Sequence, residues 1–198
     1  MDGTHSFVSI LRSQALWNPE RVIYTFLIDG EEDGPQLTYR ALHNRASEIG
    51  VGLSAVAAPG ERCILAFPPG LSFIEALFGV FYSGLIAVPT EMPLRRVAVD
   101  RFQAIAGDCS PSIVLTSRDG LAILRDRPGI ADAWPTARWF AAEDLVARDR
   151  PSVPAEVASE QIAMIQYTSG STERPKGVVL SHGNLIANSA CIQRAGGQ

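Results

Sequence analysis

The stretch RCILAFPPGLSFIEALFGVFYSGLIAVP, residues 62–89, decides the fold. RCILAF (62–67) is a short, almost wholly apolar run, which suits a strand covered on both faces. Pro68-Pro69-Gly70 imposes a turn. Residues 73–82 are apolar on nearly every side, as a helix inside a core would be, and 85–88 starts a second apolar strand. The stretch 71–89 carries one charge, Glu75, but Gly79, Ser83, Gly84 and Pro89 interrupt it, so it reads as core rather than a membrane span. Glu75 reads either as a buried acid with a partner or, the favoured reading, as a first-turn residue matched to the positive end of the helix dipole.

Working outward, the same theme repeats. Residues 95–106 read as a helix with Val97, Phe102 and Ile105 inward, 113–116 as a strand, 118–125 as a short helix and 138–140 as a weaker strand. Such alternation predicts an open, mainly parallel α/β sheet with helices on both faces. Upstream, Phe7, Ile10, Leu11 and Ala15 follow helical spacing up to Asn18-Pro19, and VIYTFLI (22–28) reads as a strand closed by a turn cluster at 29–35. Thr38 is the expected N-cap of a helix whose stripe is Leu42, Ala46, Ile49 and Leu53, with Val56 beyond, before Pro59-Gly60 stops it. Downstream, a polar, Pro-bearing connector covers about 148–158.

The 198 residues suit one domain, or one and part of another. Apolar residues make up 46% and charged ones 19%, so a sizeable core is available. Seventeen Lys+Arg against 21 Asp+Glu give a net charge of −4 with no basic block, which leaves nucleic acid without the positive face it requires. Cys63, Cys109 and Cys191 are odd in number and far apart, and read as ordinary thiols of a reducing cytoplasm rather than disulfides or a zinc site. Met1-Asp2-Gly3-Thr4-His5 has neither the basic start nor the apolar run of a signal peptide.

The chemistry concentrates at 161–181, read as a hairpin. QIAMIQY (161–167) is a strand, Thr168-Ser169-Gly170-Ser171-Thr172-Glu173-Arg174-Pro175-Lys176-Gly177 a loop, and Val178-Val179-Leu180 a second strand. Ser181 follows as the N-cap of a helix. Four hydroxyls crowd into five positions, and a lysine stands at the exit. Backbone N–H groups and hydroxyls can donate to phosphate oxygens while the ammonium offsets their charge. The pattern of P-loop NTPases does not fit: counting from Gly170, Pro175 stands where a glycine is required, and Gly177 follows Lys176 where Ser or Thr would hold magnesium.

YTSGSTERPKGVVLSHGNL (167–185) closely resembles the phosphate-binding signature of adenylate-forming enzymes. LTYRALHNRASEIGVGL (37–53), PPGLSFIEALFGVFYSGLIAVP (68–89) and RFQAIAGDCSPSIVLT (101–116) are similar to the N-terminal region of their fatty acyl-AMP ligase branch. This resemblance implies that Thr168, Ser169, Gly170, Ser171, Thr172, Lys176 and Gly177 bind the phosphates of ATP, with Mg2+ as companion ion. It implies activation of a fatty acid to acyl-adenylate, and transfer to the phosphopantetheine thiol of an acyl carrier protein. Acyl-coenzyme A ligase and non-catalytic remnant are the alternatives. Glu173 stands where many members carry Gly, and is expected to point outward. The catalytic residues, the adenine and ribose contacts and the magnesium carboxylate are expected beyond residue 198. The chain then reads as the first part of the large N-terminal domain, with apolar surface left for self-association or a complementary chain.

Other residues have plainer readings. His182 could reach a phosphate, but fits a helix-start residue bonded to backbone. His43 reads as a solvated surface residue, Phe78 and Tyr82 as core packing, and Arg95 and Arg96 as a solvated face.

Overall fold

The computed structural model describes residues 5–127, 129–130, 136–145, 156–168 and 175–196. The helix α1 (Phe7–Trp17), capped by Ser6, leads into the antiparallel ribbon β1 (Val22–Ile28) and β2 (Glu32–Thr38). Next come α2 (Tyr39–Ser54), β3 (Arg62–Ala66), α3 (Leu71–Tyr82), β4 (Ile86–Thr90), α4 (Arg96–Cys109), β5 (Ile113–Thr116) and α5 (Arg118–Arg125). β6 (Arg138–Ala141), β7 (Ile162–Thr168), β8 (Lys176–Ser181) and α6 (His182–Ala195) complete the described elements. Six strands form one sheet in the order β6-β5-β3-β4-β7-β8, parallel throughout except for the antiparallel β7–β8 pair.

The alternation within single strands shows why the sheet is sandwiched. Cys63 and Leu65 of β3, with Ile113 and Leu115 of β5, pack towards α1, α2 and α3. Ile64 and Ala66, with Val114, pack towards α4 and Leu124 of α5. These two strands bury both their faces, so the two-residue period of a half-exposed strand disappears from their sequence.

Three local readings are corrected. The expected turn at 29–35 is only Asp29-Gly30-Glu31, and β2 begins at Glu32. Asp29 and Gly30 both take positive φ, which the Asp-Gly pair tolerates, and the ribbon's exposed strand can carry Glu32, Asp33 and Pro35 because it faces water. Val97 does not face inward and is 79% exposed. The buried stripe of α4 is Ala98, Phe102, Ile105, Ala106 and Cys109, and Val97 sits about 100° away from Ala98 around the helix. Glu75 is not in the first turn, because α3 starts at Leu71. Its carboxyl is half-buried, and burial raises its pKa against the opposing pull of Arg45.

The layer of helices is drawn tight where α2 crosses α3. A Cβ on Gly79 would stand 2.4 and 2.6 Å from Cγ2 and Cβ of Ile49, and one on Gly50 would stand 2.8 Å from Cβ of Tyr82. Alanine in place of glycine gains about 1 kcal/mol of helix propensity, but overpacking a fixed core costs about 1–3 kcal/mol. Ile49 is fully buried and meets the new methyl close to its own backbone, so overpacking dominates. Gly79→Ala should therefore lower the urea midpoint, and Ile49→Ala should cost less stability in that background than in the wild type. An unchanged or raised midpoint in Gly79→Ala would show that the crossing can relax.

Candidate functional site

β3 and β4 are neighbours, yet the helices that follow them lie on opposite faces, α3 on one and α4 on the other. Chain leaving the two carboxyl ends must diverge there, which opens a crevice at the sheet's edge. A cleft of about 660 Å³ occupies that position. Phe67, Pro68 and Gly70 line it after β3, Thr90 and Met92 after β4, and Phe102 of α4 lies beneath. Pro68, Pro69 and Pro89 hold these exits extended, so the chain does not turn directly into a helix and fill the gap. The sequence reading identified the prolines as turn markers but not the cleft.

The hairpin adjoins this cleft. Tyr167, near the end of β7, lines it, and Thr168 follows as the strand's last residue. Thr168 pairs with Lys176 and Tyr167 with Gly177, so Thr168 and Lys176 stand opposite one another at the base of the 169–175 connection. Lys176 is exposed and its side chain makes no ion pair or hydrogen bond with another described residue, so its ammonium is available to an anion. Ser169, Gly170, Ser171 and Thr172, with Glu173, lie outside the described residues, as do 148–155 of the connector.

Gly177 has a reason for being glycine that the sequence did not reveal. A Cβ there would meet the Tyr167 ring at 3.1 and 3.2 Å and Ile165 Cγ2 at 2.8 Å. The ring crosses the neighbouring strand where a side chain would stand. The Tyr167 hydroxyl donates to Asp108 of α4, and burial first, then this bond, raises its pKa well above the ordinary tyrosine value. It therefore remains a donor at all physiological pH.

His182 does not join the site. Ser181 pairs with Ile162 at the far end of the hairpin, and six residues of strand separate His182 from the loop, a distance of about 17–20 Å. Its backbone N–H donates to the Gln161 carbonyl at 3.1 Å, and its ring packs edge-on to Phe81 at 5.0 Å with a buried Nδ1 that has no partner among the described residues. His182 is thus the helix-start residue bonded to backbone that its position suggests, with its ring packed on Phe81. His43 is not a solvated residue: it is half-buried, with Nδ1 2.9 Å from the Tyr82 hydroxyl. Tyr82 and Phe78 are buried in the core, as expected.

Among the described residues, no group of three or more His, Cys, Asp or Glu side chains could hold a metal ion. Within the described part of the site, the Lys176 ammonium and the Thr168 hydroxyl are groups that could meet an anion. No helix among the described residues is long and apolar enough to cross a membrane.

Burial lowers the His182 pKa from 6.5 to about 4. Below about pH 6.5 the unfolded chain binds a proton that the folded chain refuses until about pH 4. Stability is therefore lost as pH falls through this window, by at most about 3 kcal/mol. Urea unfolding between pH 7 and pH 4 should show a shallower acid slope for His182→Leu than for the wild type, and parallel slopes would contradict the assignment.

Comparison with known proteins agrees with this architecture. The model of the AMP-binding enzyme family matches residues 11–197. A medium-chain-fatty-acid–(acyl-carrier-protein) ligase, JamA of Moorena producens, is 32% identical over 198 residues, covering 97% of this chain and 33% of that protein. A long-chain-fatty-acid–AMP ligase of Mycobacterium tuberculosis, FadD23, is 32% identical over 194 residues, with 92% and 32% covered. The crystal structure of a fatty acyl-adenylate ligase from Legionella pneumophila, in complex with acyl adenylate and pyrophosphate, superposes with a TM-score of 0.81 at 35% identity over 96% of this chain and 32% of that one. The chain spans about a third of the length of these relatives. With a sheet, crevice and hairpin of this kind, and a family match over nearly its whole length, the chain belongs to the AMP-binding enzyme family.

Proposed function

We propose that this chain supplies the phosphate-binding part of a fatty acyl-AMP ligase. The observation that carries the reading is the pairing of Thr168 with Lys176 beside an apolar cleft at the carboxyl end of the sheet. On this reading Thr168, Ser169, Gly170, Ser171, Thr172, Lys176 and Gly177 hold the phosphates of MgATP. A carboxylate oxygen of the acid attacks the α-phosphorus, the bond to the pyrophosphate oxygen breaks, and acyl-adenylate and pyrophosphate result. The loop's part is positioning and charge stabilisation. The adjoining cleft gives room to apolar substrate. The names of the relatives support a fatty acid and, for one of them, a carrier protein as acceptor. On this reading Mg2+ enters with the phosphates of the nucleotide.

Magnitudes rank the contacts. A unit charge pair at 4 Å is worth about 4 kcal/mol at an effective dielectric near 20, before desolvation. A hydrogen bond to a charged group nets about 1.5–3 kcal/mol. Lys176→Ala should therefore weaken MgATP binding at least tenfold, and by more than Thr168→Val does, in calorimetric titration of the purified chain. Matching affinities for Lys176→Ala and wild type would refute the reading.

The same proposal assigns a partner to the open side of the sheet. Ile162, Val178 and Val179 on the β7–β8 pair and Ile192 on α6 are 42–64% exposed. Apolar residues on both faces of an edge hairpin fit a surface covered by more polypeptide. The isolated chain should run as a dimer or larger species in analytical ultracentrifugation, and Val178→Lys with Val179→Lys should shift it towards monomer. A monodisperse wild-type monomer able to form acyl-adenylate by itself would show the site to be complete without a partner.

A further inference from the structure

The residue just before the loop is fastened from outside the hairpin. Tyr167 is 7% exposed and packs in the cluster of Phe102, Ile105 and Val88. Its hydroxyl donates to the Asp108 carboxylate, and the Arg101 guanidinium donates to its carbonyl oxygen at 3.3 Å. Arg101 and Asp108 are seven residues apart, two turns along the same side of α4. One helix thus holds both the side chain and the main chain of a single strand residue. Gly177 completes the clasp from the other strand, since any Cβ there would push into the ring. Neither Asp108 nor Arg101 has a place in the phosphate contacts proposed above, and the bond to Asp108 spans 59 positions of sequence.

We infer that Tyr167, clasped by Asp108 and Arg101 of α4 over Gly177, is the positioning residue that sets the phosphate affinity of the loop beginning at Thr168. The inference rests on the phosphate-binding reading of the loop. The physical reason is preorganisation. A donor contributes to anion binding only to the extent that its geometry is fixed before the anion arrives. The loop's entry is fixed by the last pairs of β7 with β8, and that ladder lies at the sheet's margin. Without the clasp the Thr168–Lys176 pair frays, and its two side chains must be ordered at the expense of affinity. With the clasp, the rigidity of α4 is passed to the loop's first residue. Arg101 and Tyr167 also line the cleft, so the element that positions the phosphate loop forms one wall of the neighbouring cavity.

The test compares two hydroxyl deletions, at Tyr167 and Tyr82, with changes to the Asp108 acceptor. Tyr167→Phe should bind MgATP about tenfold more weakly than wild type with an unchanged far-ultraviolet circular dichroism spectrum. Tyr82→Phe removes another buried hydroxyl, the one beside His43, and should lower the urea midpoint without moving MgATP affinity. Asp108→Asn keeps an acceptor for the phenol and should stay within threefold of wild type, whereas Asp108→Ala should match Tyr167→Phe. The Asp108→Ala/Tyr167→Phe double variant should bind no more weakly than either single one. Amide hydrogen exchange gives a readout that needs no nucleotide: Tyr167→Phe should speed exchange at Thr168 and Gly177 at least tenfold and leave β3 and β5 unchanged. If wild type binds MgATP and Tyr167→Phe binds equally well, the inference fails and the phosphate reading stands. If wild type does not bind MgATP, the phosphate reading fails, and exchange at Thr168 decides whether the clasp orders the loop's base. Unchanged exchange there in Tyr167→Phe would overturn it.

Discussion

The structure depends on central strands that have no water on either face. β3 and β5 send alternate side chains into two separate apolar clusters, so both layers of helices must be in place for either strand to be buried. Covering both faces by short crossovers makes α3 and α4 leave neighbouring strands in opposite directions. The crevice that results is a consequence of topology before it is an adaptation to any ligand. Chemistry collects there because chain ends, prolines and open space meet at one edge.

α4 then has two duties. Its buried stripe of Ala98, Phe102, Ile105, Ala106 and Cys109 closes one face of the sheet. Its flank, through Arg101 and Asp108, reaches β7 and takes hold of Tyr167. The hairpin β7–β8 would otherwise be a marginal element, with several apolar residues exposed and only one neighbour in the sheet. A two-stranded ribbon has little stability of its own, so the helix behind it governs how firmly its turn is held. The fold and the candidate site are joined through this contact.

Much of this was legible in the residues themselves. Caps at Thr38 and Ser181, the apolar strands at β3, β4 and β5 and the stripe of α2 are local patterns, and the structure reproduces them. Readings that depended on phase or context were less secure. Val97 is apolar but lies off the buried stripe, and Glu75 shifted out of the first turn because α3 begins two residues earlier than its aromatic run suggested. The strand β2 is rich in charge and proline, which a hidden strand could not bear but an exposed ribbon can. Among the loop residues, Thr168, Lys176 and Gly177 stand together at the hairpin's base, whereas His182 belongs to its opposite end.

The sequence alone determined the alternation of strands and helices and the two-sided burial of the central strands, because spacing, capping and composition act over a few residues at a time. Only the tertiary structure decided the order of the strands, the crevice between β3 and β4 and the grip of α4 on Tyr167. Each of these brings together groups tens of positions apart, and no local periodicity encodes which partner a buried side chain will meet.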